Sequence, residues 1–218
     1  MGHYRRRTAP AAWHALCVSL IALLCALMLP ASAQAAPKTV LVVGDSLSAE
    51  YGIAYGTGWV ALLNERAKAE RIEAKIVNAS ISGDTTSGGK SRLPPLLAQH
   101  KPAVVIIELG GNDGLRGLPL ASTEANLRAM IAAARQAKAK VLLTGIQIPP
   151  NYGASYASSF AAMYAKLAKE TKSALVPFLL ASVADRRDLF QPDGIHPVAG
   201  AQPQIAANVW PHLKPLLK

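Results

Sequence analysis

Four short apolar runs constrain the architecture open to this chain: Val40-Leu41-Val42-Val43, Ile76-Val77, Val104-Val105-Ile106-Ile107 and Val141-Leu142-Leu143. Runs this short, rich in β-branched residues and lacking polar alternation, suit strands buried on both faces, the condition of a parallel sheet covered by helices. The segments between them carry a helical period. Leu127, Met130, Ile131 and Ala134 fall at i, i+3, i+4 and i+7, and Phe160, Met163, Tyr164 and Leu167 repeat those offsets, so each set forms one apolar stripe. Thr57 is placed to cap a helix carrying Trp59, Leu62 and Leu63. Around Leu93, Leu96 and Leu97, Pro94 and Pro95 remove two amide donors, and a short or kinked helix is expected there. A last helix follows Pro197 and carries Ile205, Val209 and Leu213, its limits blurred by Pro203 and Pro211. Strand and helix in alternation give fold class α/β, a three-layer α/β/α sandwich on a mostly parallel sheet.

The first 35 residues follow another logic. Arg5, Arg6 and Arg7 precede an apolar run from Ala15 to Leu29 that only Ser19 interrupts. Those 15 residues fall short of the roughly 20 that span a bilayer. With Ala31-Ser32-Ala33 and Ala33-Gln34-Ala35 behind them, they read as a secretory signal peptide over 1–35, cut near Gln34 or Ala36. Cys25 is preceded by the bulky Leu24, which argues against a lipid-attachment site. A single domain over 36–218 is expected, with export to the periplasm or beyond. Cys17 and Cys25 both lie in the leader, so the mature chain has no thiol for a disulfide, for catalysis or for a metal. Removing the leader leaves 20 basic against 13 acidic side chains, a formal charge of +7. Such a field favours anionic surfaces, and peripheral contact with anionic lipid is one expectation. No nucleic-acid partner is expected, and the protein is expected to be a monomer.

In doubly wound sheets ligands bind beyond the carboxyl ends of the strands, and this is where the polar motifs fall. The first run ends in Gly44-Asp45-Ser46-Leu47-Ser48, the second in Asn78-Ala79-Ser80-Ile81-Ser82-Gly83-Asp84, the third in Leu109-Gly110-Gly111-Asn112-Asp113. Near the C-terminus, Asp193-Gly194-Ile195-His196-Pro197 puts a carboxylate three residues before an imidazole, a spacing a turn can close onto one ring. A serine hydroxyl needs a base to take its proton, and the base needs a carboxylate to hold its tautomer and stabilise the imidazolium. Ser46, His196 and Asp193 supply that set. Taken singly, each motif has a plainer explanation: a helix cap at Ser46, a turn glycine at Gly83, an Asx turn at Asn112 and a structural loop at Asp193–His196. Together, and in this order on an α/β pattern, they point to catalysis.

In these blocks the chain resembles the SGNH, or GDSL-type, hydrolase superfamily, whose four marker residues correspond to Ser46, Gly83, Asn112 and His196. It is most similar to the bacterial periplasmic subgroup of acyl-CoA thioesterase, lysophospholipase and arylesterase enzymes, from about Thr39 to about Lys214. The resemblance implies a flavodoxin-like five-stranded sheet and a Ser46–Asp193–His196 triad. It also implies an oxyanion hole from the Ser46 and Gly83 backbone N–H groups and the Asn112 side chain, with Asp45 and Asp113 bracing loops. No cofactor and no metal are implied, and the substrate is a small-molecule acyl ester or thioester. Where the subgroup often has Ala-Gly-Tyr, this chain has Ala49-Glu50-Tyr51-Gly52; Glu50 either alters substrate entry or faces solvent, the second being favoured. Leu115, Leu118 and Tyr152, on loops beyond the third and fourth strands, are candidates to line an acyl groove.

Three other readings set the contrast. Gly88-Gly89-Lys90-Ser91 hints at a nucleotide-binding loop, but five residues separate Gly83 from Gly89, one more than the phosphate-loop pattern allows. A metal-binding export protein would use Asp193 and His196, with His100 and His212 outside the motif set and no cysteine left to complete a tight site. Within the enzyme class, a carbohydrate O-acetyl esterase would use the same triad.

Overall fold

Residues 1–2 and 37–218 are described by the computed structural model. The leader expected over 1–35, with its cleavage site and both cysteines, lies outside the described residues apart from Met1 and Gly2. Strands β1 (Lys38–Gly44), β2 (Ala74–Asn78), β3 (Val104–Glu108), β4 (Lys140–Thr144) and β5 (Ala174–Val176) form one sheet in the order β2-β1-β3-β4-β5, every pairing parallel. This is the flavodoxin-like order the resemblance implied. Between the strands run helices α1 (Trp59–Ala69), α2 (Thr86–His100), α3 (Gly111–Leu115), α4 (Leu120–Gln136), α5 (Ala154–Thr171) and α6 (Gln202–Leu213). Residues 37–218 make up one compact unit.

The apolar runs divide between two cores because successive side chains of a strand point to opposite faces. Leu41, Val43, Val105, Ile107 and Leu143 pack under α2, α4 and α5, against Leu93, Leu127 and Phe160. Val40, Val42, Val104, Ile106 and Leu142 pack under α1 and α6, against Trp59, Val209 and Trp210. β3 is buried at every residue, whereas β2, expected to be buried on both faces, is only partly covered because it forms the edge of the sheet.

Two local expectations are corrected. Of the two alternatives expected for α2, a short helix is overturned: it runs 15 residues with Pro94 and Pro95 inside. Both prolines are exposed, as are Lys90 and Ser91, whose carbonyls lose their helical donors and face water instead, while Thr86, Gly89, Leu93 and Leu97 hold the buried stripe. Gly88-Gly89-Lys90-Ser91 is therefore helix interior rather than a phosphate loop. Nor does Thr57 cap α1, since its hydroxyl donates to Ala54 O at 2.6 Å. Gly58 is the N-cap, and the Trp59 N–H is satisfied from α6 by Gln202 Oε1 at 3.0 Å.

All strands end on one edge. The chain passes from β1 to β2 on one side and later to β3 on the other, so the loops beyond β1 and β3 diverge and open a crevice at β1.

Candidate active site

Ser46 lies two residues past β1, at this crevice. Its hydroxyl stands 2.8 Å from His196 Nε2, and His196 Nδ1 stands 2.7 Å from Asp193 Oδ2. An ionised carboxylate only accepts, so Nδ1 carries the ring proton and Nε2 is left to accept from the serine. The spacing read from Asp193 to His196 works through a tight turn. Asp193 Oδ1 takes the backbone N–H groups of Ile195 at 2.8 Å and His196 at 3.0 Å, while Oδ2 takes the ring. The bond from the His196 ring, followed by the two backbone donors, lowers the Asp193 carboxyl to about 2. Tyr51 packs on the imidazole, ring centroids 4.4 Å apart and tilted by 41°.

The three assigned oxyanion donors also converge here. Among the described residues, neither the Ser46 nor the Gly83 N–H donates to a protein acceptor. Gly83 holds φ +80°, a left-handed conformation that glycine adopts without penalty. Asn112 sits in the first turn of α3, which the chain enters at Gly110 with φ +119°, where Tyr164 Oη occupies the space a Cβ would need. Asn112 Nδ2 donates to Asp84 O at 3.0 Å and, more weakly, to Asp45 Oδ2 at 3.2 Å.

Beneath the serine lies a layer of buried acids. β1–β3 register sets Gly44 beside Glu108, whose Oε2 accepts from Ser48 Oγ at 2.6 Å and Asp45 N at 3.2 Å. Its Oε1 is buried with no partner among the described residues. Burial, and then the Asp45 charge, pushes Glu108 well above the usual carboxylate range. Asp45 is pushed up to about 6, chiefly by burial and against the pull of the Leu47 N–H and Asn112. Asp113 is likewise buried and accepts from Thr86 N at 2.9 Å and Thr86 Oγ1 at 2.5 Å, tying α3 to the start of α2.

Other residues here carry no motif signal. Arg92 pairs with Asp84 at 2.6 Å and donates to Gly44 O at 3.1 Å and to Ala79 O, joining the loops beyond β1 and β2. Glu50 does not simply face solvent. Its carboxylate accepts from Gly56 N at 2.8 Å and Gly58 N at 2.7 Å, stapling the loop that carries Tyr51.

A cavity of about 350 Å³ opens beside the serine, walled by Leu47, Leu115, Ile146, Ile148, Phe178 and Leu180 among others. Leu115 is where the loop reading put it. Leu118 and Tyr152 are not in the wall: Tyr156 Oη donates to Leu118 O at 2.9 Å, and the Leu118 and Tyr152 side chains are exposed. The loops after β4 and β5 supply Ile146, Ile148, Phe178 and Leu180 instead. Of these, only Phe178-Leu179-Leu180 forms a continuous apolar run in the sequence, and the short strand before it, β5, was not among the four runs read there. His196 commits both ring nitrogens within the triad, and among the described residues no group of three or more His, Cys, Asp or Glu is placed to hold a metal.

Residues 42–201 match the GDSL-like Lipase/Acylhydrolase family. Esterase TesA of Pseudomonas aeruginosa is 55% identical over 184 residues, covering 84% of this chain and 92% of that protein. The Escherichia coli K12 Thioesterase 1/protease 1/lysophospholipase L1 is 46% identical over 183 residues, covering 84% of this chain and 86% of that one. Among solved structures, the psychrotrophic esterase EstA from Pseudoalteromonas sp., inhibited by monoethylphosphonate, superposes with a TM-score of 0.79 at 40% identity, covering 83% of this chain and 98% of that one.

Proposed function

The chain belongs to the GDSL-like lipase/acylhydrolase family, and from that membership we propose how its site hydrolyses esters and thioesters. It is an ester and thioester hydrolase of the TesA and thioesterase 1/lysophospholipase L1 type. Ser46 attacks the acyl carbonyl while His196 Nε2 takes the hydroxyl proton, and the imidazolium is stabilised by Asp193, which stays ionised. Negative charge moves to the carbonyl oxygen, where the N–H groups of Ser46 and Gly83 and the amide of Asn112 receive it. His196 then gives its proton to the departing alcohol or thiol. A water deprotonated by the same ring attacks the acyl-serine, releasing the acid and restoring Ser46.

The observation that carries this reading is the bond chain from Asp193 through His196 to Ser46, 2.7 and 2.8 Å long, at the mouth of an apolar cavity. The cavity also favours an acyl chain over an acetyl group, because a carbohydrate O-acetyl esterase would leave most of its apolar wall unused. Aryl esters, acyl-CoA and lysophospholipids are the proposed substrates. Incubation with p-nitrophenyl ethylphosphonate tests the nucleophile: intact mass should rise by one ethylphosphonyl group, mapped to the Ser46 peptide. A label elsewhere, or one that persists in Ser46→Ala, would refute the assignment.

The leader supports export to the periplasm, with a mature chain starting near Gln34 or Ala36. There the protein would act as a monomer without nucleic acid, in peripheral contact with anionic lipid. Support for that contact comes from the surface. Tyr51, Tyr55, Ile81, Leu118, Tyr152 and Ile195 are, Met1 aside, the exposed large apolar side chains among the described residues, and each lies in a segment between the end of a strand and the next long helix, on the crevice edge.

A further inference from the structure

We propose that Arg116 binds the phosphate of a lysophospholipid substrate, reading the leaving group on the side of the serine opposite the acyl cavity. The inference rests on the hydrolase reading above and names a residue that selects substrate at the same site.

The topology separates the two halves of a substrate. Most of the cavity wall comes from the loops after β4 and β5, with Leu47 following β1 and Gly111 and Leu115 on α3, whereas Gly83 follows β2 on the other flank of β1 and is not in the wall. A carbonyl held at Ser46 with its acyl chain in the cavity therefore sends its leaving group toward Gly83. Arg116 is already there. It ends α3, its backbone N–H bonds Asn112 O, and its Nη2 donates to Gly83 O at 3.1 Å. That bond takes one donor of the fork. Among the described residues no other protein acceptor and no carboxylate engages the guanidinium, whereas Arg92 is held by Asp84, Arg128 by Glu124 and Glu170, and Arg186 by Asp188.

The acids close by do not compete. Asp84 is spent on Arg92, Asp113 on Thr86, and Asp45 on the Leu47 amide and Asn112. Arg116 is thus an anchored, exposed and uncompensated guanidinium with planar donors free for the oxygens of a phosphate. The length of the leaving group selects the lipid. In a lysophospholipid, a short glycerol bridge joins the ester to the phosphate, which suits a guanidinium beside the oxyanion donors. In acyl-CoA the whole pantetheine arm intervenes and carries the phosphates past Arg116.

The test compares wild type, Arg116→Gln and Arg116→Lys on three octanoyl substrates: monomeric octanoyl lysophosphatidylglycerol, octanoyl-CoA and p-nitrophenyl octanoate. In Arg116→Gln the ratio of kcat/KM for the lysophospholipid to that for the neutral ester should fall about tenfold, the scale of one charge-assisted hydrogen bond. Arg116→Lys should recover part of it, and the octanoyl-CoA ratio should move far less. An equal fall for all three substrates would mean that Arg116 only braces Gly83, and would overturn the proposal. So would unchanged ratios, or a fall confined to octanoyl-CoA. Ser46→Ala run alongside keeps the two readings apart, because loss of the triad removes turnover on every substrate whatever Arg116 does.

Discussion

Asp193 shows how much one side chain settles: it closes the turn through two amides and fixes the imidazole tautomer with its other oxygen. Asp193→Asn should therefore keep the turn yet lower kcat by about 10⁴, because the ring would be held in the wrong tautomer. Asn112→Ala should cost about 10² to 10³ in kcat with little change in KM, since its amide is needed only as charge develops. Steady-state kinetics on one ester checks both. Asp45 makes a prediction for pH. Its carboxyl rises from 3.8 to about 6 on folding, so protonation favours the folded state; that stabilisation is complete below pH 3.8 and is lost as pH climbs through 6. Wild-type Tm should accordingly fall relative to Asp45→Asn across that window, and a constant difference would contradict a buried, upshifted acid. The motif blocks carrying Ser46, Gly83, Asn112, Asp193 and His196 were visible in the sequence, and the fold brings Ser46, His196 and Asp193 into one bonded chain. Arg92, Glu108 and Glu50 were not legible there, because each is defined by backbone or hydroxyl partners that only the folded loops bring within reach.

At the level of elements, hydrophobic period located strands and helices well and local polar signals located their ends poorly. The stripes at Leu127–Ala134 and Phe160–Leu167 are buried as their spacing requires. The cap of α1 was misread because its real partner, Gln202, is 143 residues away, beyond any local pattern. Gln202→Ala should lower unfolding free energy by about 1 to 2 kcal/mol, the cost of leaving a buried amide unsatisfied. Thr57→Ala, on an exposed turn, should stay within about 0.5 kcal/mol. Urea unfolding of the two variants separates the readings, and the opposite ranking would favour Thr57 as the cap. The prolines of α2 misled for a related reason: their cost depends on whether the freed carbonyls meet water, which is a property of the packed face.

Across the whole molecule, sheet order does what no single motif can, bringing the segments that carry Ser46, Gly83, Asn112 and His196 to one edge. The composition of the cavity was the least legible feature, since its walls come from segments after four different strands. The exposed apolar side chains on the crevice edge, with a formal charge of +7 over residues 36–218, also give a prediction at this scale. The protein should co-sediment with phosphatidylglycerol vesicles more than with phosphatidylcholine vesicles, and lose that preference as salt rises toward 0.5 M, where screening lengths shrink to about a few ångströms. Equal partition to both vesicles at low salt would count against lipid contact driven by charge. The most direct measurement is hydrolysis of p-nitrophenyl esters of increasing acyl length by residues 36–218 of the chain and by the Ser46→Ala variant. Wild type should prefer chains long enough to enter the cavity over acetate, and Ser46→Ala should lose activity by about 10⁶, as expected when a triad nucleophile is removed. Hydrolysis that survives the substitution would contradict the assignment of Ser46 as nucleophile.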